Sequence, residues 1–133
     1  MVGRTEDEAR EKLASLQALI SDEAAMRLLA RLCGDLGIYD YPIDGPLPPL
    51  PASNAAKARQ QLIVDLARKE RLSIRQVARY LGTSLGHQLQ VGTPVQIADR
   101  MQEWLEAGAC DGINLMVPHF PAPLEDFVGL VVP

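Results

Sequence analysis

One run of the sequence, Ile113-Asn114-Leu115-Met116-Val117, limits what the remainder can be. Opened by Gly112 and closed by Pro118, it has the apolar character of a parallel strand buried on both faces. Such a strand needs neighbours at its edges and helices over its faces, yet the rest of the chain reads almost wholly as helix and loop. The expectation is an α/β architecture of which this chain holds one core strand and little to pair with it. That is the pattern of a piece of a larger α/β protein.

Thr5 followed by Glu8 predicts a capping box, and Ala9, Leu13, Leu16 and Ile20 continue it as one apolar stripe. Ser21 predicts the cap of a second helix, with Met26, Leu29 and Cys33 on one face and Gly34 ending it. A third helix is predicted over about 55–70 with Leu62 and Leu66 on one face. Ser73 with Gln76 predicts another capped helix, ending near Gly82. Residues 86–91, where His87, Leu89 and Val91 alternate with Gln88 and Gln90, fit a strand or sheet edge. Thr93, Pro94 and Gln96 predict a helix start, Ile97, Met101, Trp104 and Leu105 its core face, and Gly108 its end. From Leu124 a last helix begins, with Glu125 and Asp126 near its positive end. Pro133 follows within a turn or two, without a stop signal for that helix.

Between Gly34 and Asn54 lie five prolines and three glycines, which predict a long extended connection. Connections of that length in compact domains are usually lids or binding loops. Its apolar residues Ile38, Tyr39, Tyr41, Ile43, Leu47 and Leu50 are too many for a free linker and are expected to pack. A hydrophobic share of 47% and a charged share of 23% exclude a disordered chain. The net charge of −4 offers nucleic acid and anionic membrane no overall attraction. Charge begins at Arg4, where a signal peptide would be apolar, and no run approaches a membrane span. Cys33 and Cys110 read as reduced thiols, no His/Cys cluster suggests a metal, and a cytoplasmic location is expected.

Residues 66–84 offer a competing reading, since they imitate the first part of a helix-turn-helix. The interval 57–79 holds seven basic residues against two acidic ones, a balance that suits DNA. A recognition helix should follow, but Gly86, Gly92 and Pro94 interrupt the chain there. Lys57, Arg68 and Arg75 therefore read as a solvated face or subunit contact, and no nucleic acid partner is expected.

Five stretches carry a family resemblance. Val2-Gly3-Arg4-Thr5-Glu6-Asp7-Glu8-Ala9 opens the chain, and Tyr41-Pro42-Ile43-Asp44-Gly45-Pro46-Leu47-Pro48 lies in the loop. Val91-Gly92-Thr93-Pro94 with Gln96-Ile97-Ala98-Asp99, then Gly112-Ile113-Asn114-Leu115-Met116 and Leu124-Glu125-Asp126-Phe127, complete it. In this order they resemble the C-terminal region of the nitrilotriacetate monooxygenase component A family, which includes dibenzothiophene-sulfone and pristinamycin-type monooxygenases. These are bacterial-luciferase-like enzymes. The resemblance implies the C-terminal portion of a TIM (β/α)8 barrel, mostly helical here, with the family's active-site insertion. It implies reduced FMN as cofactor, a flavin reductase that supplies it, and O2-dependent oxygenation of a small organic substrate.

In that layout Met1 to Arg4 end strand seven and 5–90 form the insertion, a lid. Residues 91–133 then supply the last helix, strand and helix of the barrel. Strands one to six, which carry most flavin contacts, have no counterpart, so the isolated chain is expected to be inactive and to bind neither FMN nor FMNH2. His119 and Phe120 just past the last strand, His87 and Val91 on the return from the insertion, and Tyr39 and Tyr41 on the lid are the implied substrate-pocket residues. Each also has a plainer reading. His119 stands where the family usually has another aromatic residue and reads as a solvent-facing loop histidine. His87 reads as packed or capping, Val91 as core, and the tyrosines as packing residues. Gly92-Thr93-Pro94 could hold an anion at a helix start but reads more simply as a cap. Asp99, Glu103 and Glu106 read as a solvated helix face. Catalytic and flavin-binding residues are not assigned. A non-catalytic remnant of the same ancestry is the other alternative, and its uncovered apolar surface predicts self-association.

Overall fold

The structure is a computed structural model that describes residues 1–34, 37–50 and 57–133. Its helices are α1 (Glu6–Ala18), α2 (Asp22–Cys33), α3 (Lys57–Lys69), α4 (Ile74–Ser84), α5 (Pro94–Glu106) and α6 (Ala122–Leu130), with a 3₁₀ turn at Ile38–Asp40. They divide between two compact units, Gln17–Gln88 and Met1–Leu16 with Leu89–Pro133. Among the described residues no helix is long and apolar enough to cross a membrane.

In the unit Gln17–Gln88, Ser21 starts α2 by accepting from the Ala24 N–H at 3.2 Å, and Gly34 ends it at φ 85°. The face so fixed, Met26, Leu29, Ala30 and Cys33, packs on Ile74, Val77, Ala78 and Leu81 of α4. Burial raises the Cys33 thiol to about 11, which leaves it protonated and unreactive near neutrality. α4 begins with a complete capping box: the Ser73 N–H donates to Gln76 Oε1 at 2.8 Å, and the Gln76 N–H donates to Ser73 Oγ at 3.3 Å. It continues through Gly82 to Ser84, close to the predicted end near Gly82, with Leu85 as its left-handed cap. The burial of Leu81 against α2 keeps the helix intact across the glycine.

α3 adds Ile63 and Ala67 to this core. The predicted face of Leu62 and Leu66 is thus out of phase, and Leu62 is 69% exposed. The i, i+4 spacing was right, but one residue rotates a helix by about 100°. The start predicted for this helix, at about residue 55, lies outside the described residues, as do Pro51 and Asn54. In the connection before them Ile38 is buried and Ile43, Leu47 and Leu50 pack against the core. Tyr39 and Tyr41, expected to pack, are exposed, because the 3₁₀ turn that aims Ile38 inward leaves its neighbours outward.

The basic stripe is partly neutralised inside this unit. Asp22, the first residue of α2, accepts from Arg79 Nη2 at 3.0 Å and also pairs with Arg75. Arg75 in turn donates through Nε to Asp44 Oδ1 at 2.7 Å and through Nη2 to Oδ2 at 3.1 Å. Two of the arginines that suggested DNA are therefore turned onto carboxylates of the protein itself.

In the unit Met1–Leu16 with Leu89–Pro133, Val2 and Gly92 form a parallel bridge. The Gly3 N–H donates to Gly92 O at 3.1 Å, and the Gly92 N–H to Met1 O at 3.2 Å. Parallel neighbours cannot be joined by a tight turn, and here residues 4–91 make the crossover. α1 starts with the Glu8 N–H donating to Thr5 Oγ1 at 3.1 Å, while the Glu8 carboxylate accepts from the Arg4 N–H at 2.7 Å, one residue before the expected partner. α5 carries a complete capping box between Thr93 and Gln96 and ends before Gly108, which adopts φ 63°.

The predicted strand 113–117 does not form. Among the described residues there is no strand, only the isolated bridges Val2–Gly92 and Pro46–Ser73. Ile113, Leu115 and Met116 are exposed, and 86–91 likewise form no strand. A strand exists only by its ladder, and no backbone among the described residues runs beside 113–117 to supply one. For the same reason Met101 and Trp104 are only half-buried and Leu105 is exposed, so that α5 fully buries Ile97 alone. The architecture described is helical.

Candidate functional site

Beside the Val2–Gly92 bridge lies a cavity of about 590 Å³, walled by Glu6 and Arg10 of α1, Val91 and Gly92, and Gln96 and Arg100 of α5. The two helix starts bring its polar groups together. Gln96 Oε1 accepts from the Thr93 N–H at 2.9 Å, and its Nε2 donates to Glu6 Oε1 at 2.7 Å. Glu6 also pairs with Arg10, whose Nη1 lies 3.0 Å from Asp7 Oδ1. The Gln96 hydrogen bond, and then the Arg10 charge, hold the Glu6 carboxyl below the usual carboxylate range. Gln96 can lie across the backbone here because residue 92 is glycine: a Cβ at Gly92 would stand 2.7 Å from Gln96 Oε1.

This arrangement can orient and wall. Among the described residues no histidine, cysteine or serine lines the cavity, and Arg100 is engaged by Glu103 at 2.6 Å. Among the described residues no group of His, Cys, Asp and Glu could hold a metal ion. The anion reading of Gly92-Thr93-Pro94 gives way to the cap. Pro94 has no N–H, and those of Thr93 and Gln96 are taken within the box. At α4 the N–H groups of Ile74 and Arg75 donate to Gly45 O and Ile43 O, at 2.9 and 2.8 Å. Neither helix start therefore leaves the free row of donors that a flavin phosphate would require, and these residues do not fit that group.

Of the predicted pocket residues, Val91 alone lines this cavity, where it is half-buried. His119 and Phe120 belong to the same unit but sit on the exposed turn before α6, with Phe120 73% exposed. Tyr39, Tyr41 and His87 belong to the unit Gln17–Gln88; His87 is exposed, and its backbone N–H donates to Ser84 O at 2.9 Å. Asp99, Glu103 and Glu106 are exposed, as read.

A second cavity, about 550 Å³, opens within the unit Gln17–Gln88 between the end of α3 and the start of α4, with Arg68 and Arg71 at its wall. Sequence reading assigned these arginines only to a basic stripe. The spacing of Arg75 and Arg79, one helical turn apart and able to share one acid, was a legible sign that part of the stripe is internal. Nothing in the sequence marked the backbone of Arg71, which adopts φ 52°.

No protein-family model matches the chain. It is 42% identical to N-acetyl-S-(2-succino)cysteine monooxygenase of Bacillus subtilis (strain 168), over 100% of this chain and 31% of that protein. It is 38% identical to nitrilotriacetate monooxygenase component A of Aminobacter aminovorans, over 99% of this chain and 29% of that protein. Among solved structures, EDTA monooxygenase from Chelativorans sp. BNC1 matches with a TM-score of 0.60 at 33% identity, over 100% of this chain and 31% of that one. The chain thus spans about a third of the length of the relatives it matches. In sequence and in fold, the chain is similar from end to end to a part of luciferase-like monooxygenases such as nitrilotriacetate monooxygenase component A.

Proposed function

We propose that this chain forms the C-terminal part of a two-component, cytoplasmic monooxygenase that takes reduced FMN from a flavin reductase and uses O2 to oxygenate a small organic substrate. The observation that carries the reading is the similarity of the whole chain to one monooxygenase at 42% identity, and of 99% of it to a second at 38%. The Val2–Gly92 bridge supports a barrel setting, since side-by-side parallel segments joined by a long crossover are how a (β/α)8 barrel is built. In that setting 113–117 is a barrel strand that gains its ladder from the remainder of the barrel, and 5–90 is the insertion. The flavin supplies oxygen activation when bound. Val91, His119 and Phe120 of the unit Met1–Leu16 with Leu89–Pro133 are assigned to the substrate wall. The flavin cradle belongs to parts of the barrel outside this chain.

A chimera tests this. The third of the Bacillus subtilis relative that matches this chain is replaced by residues 1–133, and the product is supplied with a flavin reductase, FMN, NADH and that enzyme's own substrate. The expected result is product carrying one oxygen atom from O2, while the free 133-residue chain binds no flavin. A chimera that folds and binds flavin yet oxygenates nothing would refute the reading.

A further inference from the structure

Residues 42–47 lie across the start of α4 as a strap. The Gly45 N–H donates to Pro42 O at 2.8 Å, which closes a four-residue turn, Pro42-Ile43-Asp44-Gly45. That turn offers two carbonyls and a carboxylate to the helix. The Arg75 N–H donates to Ile43 O at 2.8 Å, and the Ile74 N–H to Gly45 O at 2.9 Å. Asp44 takes the Arg75 side chain on both of its oxygens, at 2.7 and 3.1 Å, and Pro46 forms an antiparallel bridge with Ser73. A helix start has four orphan donors. The capping box satisfies those of Ser73 and Gln76, and the strap satisfies the two between them.

What holds the strap differs in kind from what holds the core. α2 and α4 are joined through Leu29, Ile74, Val77 and Leu81, whose side chains are shut off from water. None of residues 39–50 is fully buried, and the Asp44 side chain is 71% exposed. Ile43 and Leu47 rest on the core only in part. Surface pairs and exposed backbone bonds exchange for water at small cost, while a buried apolar face separates only with the whole unit. Release also leaves no charge stranded. Arg75 pairs with Asp22 as well, so a guanidinium that leaves Asp44 keeps a carboxylate partner, and Asp44 passes into water. Ile38, buried ahead of the strap, anchors the chain on that side.

We propose that residues 42–47 are a latched strap: they leave the start of α4 together while the helical core stays folded, and the Asp44–Arg75 pair is the latch. Asp44, Pro46 and Leu47 also wall the cavity between the end of α3 and the start of α4. Release of the strap removes that wall, so the latch governs access to the cavity. The device needs neither flavin nor the oxygenation proposed above, and it stands or falls separately.

Native-state hydrogen exchange of the 133-residue chain over a series of low urea concentrations tests it. The Ile74 and Arg75 amides should exchange together, faster than the Ala78 and Leu81 amides inside α4 and with a weaker dependence on urea, because their opening exposes less surface. Asp44→Asn should speed the exchange of Ile74 and Arg75 about two- to fivefold. Continued protection of Ala78 and Leu81 in the variant shows that its core is folded. Exchange of Ile74 and Arg75 only in step with Leu81 would mean that the strap opens with the core, and overturns the proposal. Wild-type exchange at Ile74 and Arg75 in Asp44→Asn overturns it too, as does a lack of protection at those amides in the wild type.

Discussion

Lys12 of α1 and Asp126 of α6 meet across 114 positions of sequence, with Nζ 2.8 Å from Oδ2. The same ammonium donates to Val2 O at 3.0 Å and lies 3.0 Å from Glu8 Oε1. It ties the backbone of the bridged segment to α1 and α6. Asp126 first, and Glu8 after it, raise the Lys12 pKa above its ordinary value.

Asp126→Asn should therefore lower stability by about 0.5–1 kcal/mol, read as a shift in the urea midpoint. Because the folded-state pKa of Lys12 lies above the unfolded one, the Asp126 contribution is whole below about pH 10 and is lost as pH rises through the folded value. Wild type and variant should converge in strong alkali. An unchanged difference there would count against the pairing.

Asp44 behaves with the opposite sign. The Arg75 hydrogen bonds hold its carboxyl below the usual carboxylate range, so its contribution is present above about pH 4 and is lost as pH falls through the lower folded value. Asp44→Asn should be less stable than wild type at pH 6 and indistinguishable from it in strong acid. Denaturation midpoints from pH 6 downward measure the difference.

Ile63→Ala should cost about 2–4 kcal/mol, because Ile63 is 4% exposed in the core of its unit. The neighbouring Leu62→Ala should change stability by less than about 0.5 kcal/mol, since that side chain lies largely in water. Equal losses would return the helix to the phase first predicted for it.

Gly3 and Gly92 donate to and accept from one another's segment, but substitution should separate them. A Cβ on Gly3 would lie 2.3 Å from the Ala9 N and 2.7 Å from Thr5 O, both backbone atoms that cannot yield. Gly3→Ala should cost about 2–3 kcal/mol. A Cβ on Gly92 meets the end of the Gln96 side chain, which can swing away at the loss of its bond to the Thr93 N–H. Gly92→Ala should cost about 1 kcal/mol. Thermal melts of the two variants would rank them, and the reverse order would refute this account.

The exposed run Ile113, Leu115 and Met116 should make the isolated chain self-associate with rising concentration. Leu115→Asp with Met116→Lys should move it toward monomer in size-exclusion chromatography with light scattering. No change of mass with concentration in the wild type would oppose this.

What the sequence determined by itself was local. Ser21, Ser73 and Thr93 start helices because a hydroxyl placed before an apolar run satisfies first-turn donors, a rule that needs no knowledge of the rest of the chain. Gly34 and Gly108 end helices for an equally local reason. The order of its motifs also carried the family resemblance. Tertiary structure decided the rest, because burial depends on what lies opposite. It set Ile63 rather than Leu62 against α2 and α4, carried α4 past Gly82, and turned Arg75 and Arg79 onto Asp22. It left 113–117 without a ladder, since a strand's hydrogen bonds belong to its neighbours and not to its own residues. It also set Arg71 left-handed at the wall of a cavity, a placement that no residue type announces in advance.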